Sequence, residues 1–172
     1  MMQSDRIREA IAQTSAHMES NPQNAVSEDK PARAIFENGL KFTIDDTKSW
    51  RISTDMPKAL GGEGSAPSPG WLRRAAQAAC EGTMIAIRAA QEQVELERLE
   101  VQIGSISDDR GMLGIEDKAN PGPNESWARV TISAKGVSET KLREIVDWAE
   151  AHSPVTDSLC RAVPHKLQID VV

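Results

Sequence analysis

The chain is 172 residues long, 39% hydrophobic and 27% charged, which suits one domain with a real core and is short of what two independent cores need. Its formal charge of -6, with acidic and basic residues interspersed, argues against a nucleic-acid partner, because phosphate binding needs a positive footprint. Four Trp, two Phe and no Tyr leave little for a base- or sugar-stacking surface. No apolar run reaches the length of a signal-peptide core or a bilayer span, so a cytoplasmic protein with no membrane partner is expected.

In chain order, Ser4 to Glu19 carries Ile7, Ile11 and Met18 at roughly helical spacing, with Ser4 as a candidate N-cap. The polar, turn-rich stretch to Pro31 marks residues 1–30 as a helical extension and linker, with the domain proper over 31–172. The runs Ala32 to Phe36 and Leu40 to Ile44 flank Glu37-Asn38-Gly39, the Asn-Gly pair of a tight hairpin. A third strand is expected from Trp50 to Ser53, then a Gly-, Pro- and Ser-rich loop over 56–70. Pro69 suits the first position of a long helix capped by Ser68 and running to about Gln93. Its small-residue stripe Leu72, Ala76, Ala79, Thr83, Ile87 and Ala90 is expected to be buried against another helix.

Alternation at Leu99, Val101 and Ile103, and again at Val130, Ile132 and Ala134, predicts two more strands around a turn at Asp108 to Gly111. Ser138 caps a second main helix over Glu139 to Ala151, with Val137 and Leu142 spaced as a hydrophobic staple. Ser153-Pro154 restarts a short helix to about Ala162, and Leu167, Ile169 and Val171 alternate as a closing strand. Together these elements read as an α+β fold, antiparallel strands with two main helices.

The two cysteines of an intracellular chain point to free or redox-active thiols more than to a bridge. Cys80 lies deep in the long helix, beyond reach of the helix dipole. None of its one-turn neighbours Ala76, Gln77, Thr83 and Met84 is basic, and Arg73 is roughly 10 Å away along the axis, so an activating cation must come from another segment. From composition alone, Cys80 reads as a small buried hydrophobe, which is what free cysteines usually are. His17, His152 and His165 lack metal-ligand spacing and there is no CxxC, so no metal is expected. Gly61 to Gly64 lacks the Lys-Ser/Thr of a phosphate loop, so no nucleotide or other cofactor is implied. His152 beside Ser153 has no G-x-S-x-G elbow to make it a hydrolase.

The run Met56-Pro57-Lys58-Ala59-Leu60-Gly61-Gly62-Glu63-Gly64-Ser65-Ala66-Pro67-Ser68-Pro69, the helix through Ala78-Ala79-Cys80, the turn Ser107-Asp108-Asp109-Arg110-Gly111 and the segment Trp148 to Val155 together resemble the OsmC/Ohr superfamily, in order and spacing, from about Pro31 to Val172. The resemblance implies an OsmC-like fold, antiparallel sheets packed on two main helices in an intertwined homodimer. It also implies thiol peroxidase chemistry: the helix cysteine, matching Cys80, attacks an organic hydroperoxide and becomes a sulfenic acid, which a second cysteine resolves.

This chain departs from that pattern. The second-cysteine position holds Ser153, and Cys160, about two helical turns further on, is read as structural. The carboxylate that orients the activating arginine falls at Gly70, with Glu63 near but out of register; Arg33, in the first hairpin, is the positional candidate for the arginine and has surface solubility as its other reading. Two functions follow. In the first, Cys80 reduces organic hydroperoxides and an external thiol or dithiol resolves it. In the second, a non-catalytic dimer binds a small hydrophobic ligand.

Overall fold

The computed structural model describes residues 3–115 and 118–172. These divide into two compact units, one of residues 9–76 and one of residues 77–172 with the chain start up to Arg8. Helix α1 (Gln3–Ser20) buries none of its residues. In the first unit, strands β1 (Arg33–Asn38), β2 (Lys41–Asp45) and β3 (Arg51–Thr54) form an antiparallel sheet in that order. The hairpin is where the Asn-Gly signal puts it, one residue on: Asn38 stays in β1 opposite Lys41 and the turn is Gly39-Leu40, with Gly39 at φ +52°, a conformation glycine adopts readily. Phe36 faces Phe42 across the register, their rings edge-on at 5.8 Å. Beyond β3 the chain enters the glycine-rich segment, which holds one turn of 3-10 helix, Lys58–Leu60.

Helix α2 (Pro69–Gln91) begins as Ser68 and Pro69 dictate, the Ser68 hydroxyl accepting the Trp71 N–H at 3.3 Å. It continues through Gly82 without a break and ends in a Schellman turn. There the Val94 and Gln93 N–H groups reach back to Ala89 and Ala90 at 2.8 and 3.2 Å, with Gln93 left-handed at φ +59° and Val94 buried below it.

In the second unit β4 (Leu96–Ser107) pairs antiparallel with β5 (Pro123–Ala134), the one-turn helix α3 (Asp109–Met112) lying between them in sequence. Helix α4 (Glu139–Ala151) is capped by Ser138, and α5 (Pro154–Cys160) follows at once. Ile85 and Ala89 of α2, Ile145 and Ala149 of α4, and Val94 form the core, with Leu99, Val101, Val130 and Ile132 of the sheet packed on it. The fold is thus α+β, with antiparallel sheets and, in this unit, two main helices sharing a core with the strands.

Two expectations are corrected. Residues 162–172 contain no strand, and Leu167, Ile169 and Val171 stand exposed; alternation supplies a face, but a strand also needs an edge to pair with. The buried stripe of α2 is Gln77, Glu81, Ile85 and Ala89 with Ala90, whereas Ala76, Ala79 and Thr83 are exposed. Size misled here: the core takes the face of α2 that carries Ile85, and two long polar side chains lie along it.

Candidate thiol site

Cys80 sits midway along α2, half-buried, and is a free thiol. Next to it in the chain, Glu81 faces inward with only 2% of its surface exposed. A carboxylate so placed needs hydrogen-bond donors. One Glu81 oxygen accepts both Gln77 Nε2 from the preceding turn and Thr156 Oγ1 from α5, each at 3.0 Å.

Thr156 is there because of how α5 begins. Pro154 takes the first helical position, where a missing N–H costs nothing. Ser153 is the N-cap, its hydroxyl accepting the Thr156 N–H at 3.4 Å. That same hydroxyl donates to Cys80 Sγ at 3.3 Å, and Ser153 is 1% exposed. Cys80 and Ser153, expected to matter from the sequence, therefore meet.

Arg33 has a partner in its own unit. It lies in the first unit, directly across the register from Asp45, and holds that carboxylate through Nε and Nη2 at 3.1 and 3.0 Å. The Arg33 hydrogen bond keeps the Asp45 carboxyl below its ordinary range, against the opposing pull of desolvation. Gly70, where the resemblance expects a carboxylate, is the second residue of α2. Cys160 is an exposed free thiol at the end of α5. His152 stacks on Trp148 with ring centroids 4.0 Å apart and points Nδ1 at the Trp148 carbonyl, which occupies it in capping α4.

A groove of about 830 Å³ in the same unit is lined by Ile85, Val130, Ile132, Leu142 and Val146, with Glu81 and Glu150 among its acidic groups; of the thiol-site residues it shares Glu81 and neither Cys80 nor Ser153. Desolvation, then the charge of Glu81, raises the Glu150 carboxyl above its ordinary value. A raised carboxyl means the folded state holds its proton more tightly than the unfolded chain, so folding is penalised at neutral pH and not below the unfolded value. Glu150→Gln is therefore expected to raise the melting temperature at pH 7, with the gain vanishing towards pH 3, as read by thermal melts across that range.

Sequence reasoning missed Gln77, Glu81 and Thr156. The usable signal was the spacing of four from Gln77 through Glu81 to Ile85 and Ala89, which puts two polar side chains on the apolar stripe. The Gln77 carbonyl oxygen is buried with no hydrogen-bond partner among the described residues.

A family model described as OsmC-like protein matches residues 62–168. No curated protein matches the sequence. Among solved structures, an OsmC-like protein from Mycoplasma pneumoniae aligns over 80% of this chain and 91% of its own, at 17% identity and a TM-score of 0.67. An OsmC-like protein of unknown function from Vibrio cholerae covers 77% and 94%, at 12% identity and 0.64. An organic hydroperoxide resistance protein OsmC from Legionella pneumophila covers 77% and 91%, at 19% identity and 0.57. At these identities the likeness is one of fold. No helix among the described residues is long and apolar enough to cross a membrane.

Proposed function

The chain belongs to the OsmC-like protein family, and from that premise we propose that it reduces organic hydroperoxides through Cys80, with an external thiol completing the cycle. The observation that carries this reading is the Ser153 hydroxyl held 3.3 Å from Cys80 Sγ, at the position where the resemblance places a resolving cysteine. In the proposed step the Cys80 thiolate attacks the terminal oxygen of ROOH and the O–O bond breaks. RO⁻ leaves and takes up a proton as the alcohol, and Cys80 becomes a sulfenic acid. Ser153 cannot form a disulfide, so an external thiol condenses with the sulfenic acid, releasing water. A second thiol attacks the mixed disulfide, freeing Cys80 and leaving the reductant oxidised.

Arg33 is the proposed cation for the thiolate. Asp45 fixes its plane through two of its five N–H groups, leaving the rest to donate, a service Gly70 has no side chain to perform. The test of the whole reading is consumption of cumene hydroperoxide with dithiothreitol as electron source. Wild type should turn over and Cys80→Ser should lose turnover to background; equal rates in the two would end the proposal.

We further propose that the working form is a homodimer in the cytoplasm. Exposed Ala76, Ala79 and Thr83 on one stripe of α2 suit close helix approach, and Phe36, Trp50 and Ile52 expose apolar surface in the first unit. Sedimentation equilibrium should give twice the chain mass; a monomer at micromolar concentration would refute it.

The second reading, a non-catalytic binder of a small hydrophobic ligand, draws on the apolar groove. Under it, Cys80 would alkylate slowly below pH 7, where an activated thiolate is trapped fast.

A further inference from the structure

We infer that Glu81 is a positioning residue, which acts through Thr156 to hold the Ser153 hydroxyl on the Cys80 sulfur. This deepens the reading above and rests on it only for its consequence in turnover; the geometry is independent of whether a peroxide is the substrate.

The starting observation is a mismatch. The stripe that α2 buries ends in Ile85 and Ala89, yet continues through Glu81 and Gln77. An aliphatic residue at position 81 would fill the same space without removing a charge from water, and buried ions are seldom kept for stability alone. What a carboxylate offers there is direction. One of its oxygens receives Gln77 Nε2 and Thr156 Oγ1, both at 3.0 Å. Gln77 belongs to the same helix and anchors the carboxylate on it, whereas Thr156 belongs to α5. The carboxylate thereby ties the first turn of α5 to α2.

Consecutive residues of α2 thus engage the two ends of one short turn. Cys80 receives Ser153 at 3.3 Å, and Glu81 receives Thr156. The Thr156 N–H closes the loop by donating to the Ser153 hydroxyl at 3.4 Å, which engages a lone pair of that oxygen and leaves its proton to point at the sulfur. All of Gln77, Glu81, Ser153 and Thr156 are buried, which limits the competition of water for these bonds. Removing the Thr156–Glu81 bond leaves the weak contact to sulfur with more of the task of placing Ser153 on α2.

The experiment measures that placement directly. In a Ser153→Cys background, diamide oxidises the thiols at positions 80 and 153 to a disulfide, being itself reduced to the hydrazine, and the crosslinking rate reports how often the two sulfurs meet. Adding Thr156→Val, which keeps shape and drops the hydroxyl, should slow crosslinking roughly tenfold, within the about 10²-fold that a 1 Å misplacement can cost. Thr156→Ser should restore the parent rate to within about twofold, and Glu81→Leu should match Thr156→Val. Circular dichroism establishes that each variant is folded. Unchanged crosslinking in Thr156→Val, or failure of Thr156→Ser to rescue, overturns the inference. A protein inert towards hydroperoxide that still follows this order of crosslinking rates sinks the peroxidase reading and leaves the positioning role standing.

Discussion

Ser153→Cys, treated with one equivalent of an organic hydroperoxide and no added thiol, is expected to lose two hydrogens and form a disulfide between positions 80 and 153, where wild type gains one oxygen on Cys80. The Ser153 oxygen lies 3.3 Å from the sulfur, and a disulfide needs about 2.05 Å. The longer C–S bond of the substituted residue closes part of that gap, and a shift on the order of 1 Å at the first turn of α5 closes the rest. The cost is one N-cap, since a thiol accepts the Thr156 N–H poorly, at about 1 kcal/mol.

The kinetic consequence is large. Resolution of the sulfenic acid becomes intramolecular, with an effective concentration far above any free thiol in solution. Formation of the disulfide should be independent of added thiol, whereas turnover of the variant still draws two electrons from an external reductant and should favour dithiols, which reduce an internal disulfide without stalling at the mixed stage. Intact mass spectrometry reads the first result and steady-state rates the second. Persistence of an oxygen adduct with both thiols unlinked would show that the 80–153 contact is not kept in solution.

Much of this site was legible because its parts are local. Pro154 and Ser153 spell out a helix start, Pro69 and Ser68 spell out another, and Ser138 a third; each signal works within one turn. The hairpin at Asn38-Gly39 is of the same kind. What escaped was every feature that depends on a partner distant in sequence. The alternation of Leu167, Ile169 and Val171 carries no information about an available edge. The small-residue stripe of α2 says how close a neighbour could come, and nothing about whether the core lies on that side. The role of Glu81 was not legible because one of its donors, Thr156, reaches it only when α5 folds back on α2. Arg33 and Asp45 are opposite one another because the register shifts between Phe36 and Asn38, so counting outward from the turn does not give that pair.

The same blindness hid the organiser of the glycine-rich segment. Asp55, immediately before it, is 2% exposed, and its carboxylate accepts the backbone N–H groups of Met56, Glu63 and Ser65 at 2.8, 3.2 and 2.9 Å, and the Ser65 hydroxyl at 2.9 Å. The loop is wound around it: the Gly64 N–H returns to the Met56 carbonyl at 3.0 Å, and a Cβ at Gly62 would lie 1.9 Å from that same oxygen, so only glycine fits there.

Asp55→Ala leaves three backbone donors without their acceptor, the expensive way to lose hydrogen bonds. We expect the melting temperature to fall on the order of 10 °C and the segment 56–65 to become the first site of limited proteolysis. Asp55→Asn should lie between, since its amide keeps one acceptor oxygen and turns an NH2 towards donors. The Ser65 N–H foremost, with the other donors, holds the Asp55 carboxyl below its ordinary value. Its stabilisation is therefore complete above the unfolded carboxyl value and is lost as pH falls through the lower folded one. The gap between wild type and Asp55→Ala should accordingly be full at pH 7 and narrow only in strong acid. A gap that is already closed at pH 5, or a variant melting with wild type at pH 7, would mean that the loop is held by its glycines and prolines without the carboxylate.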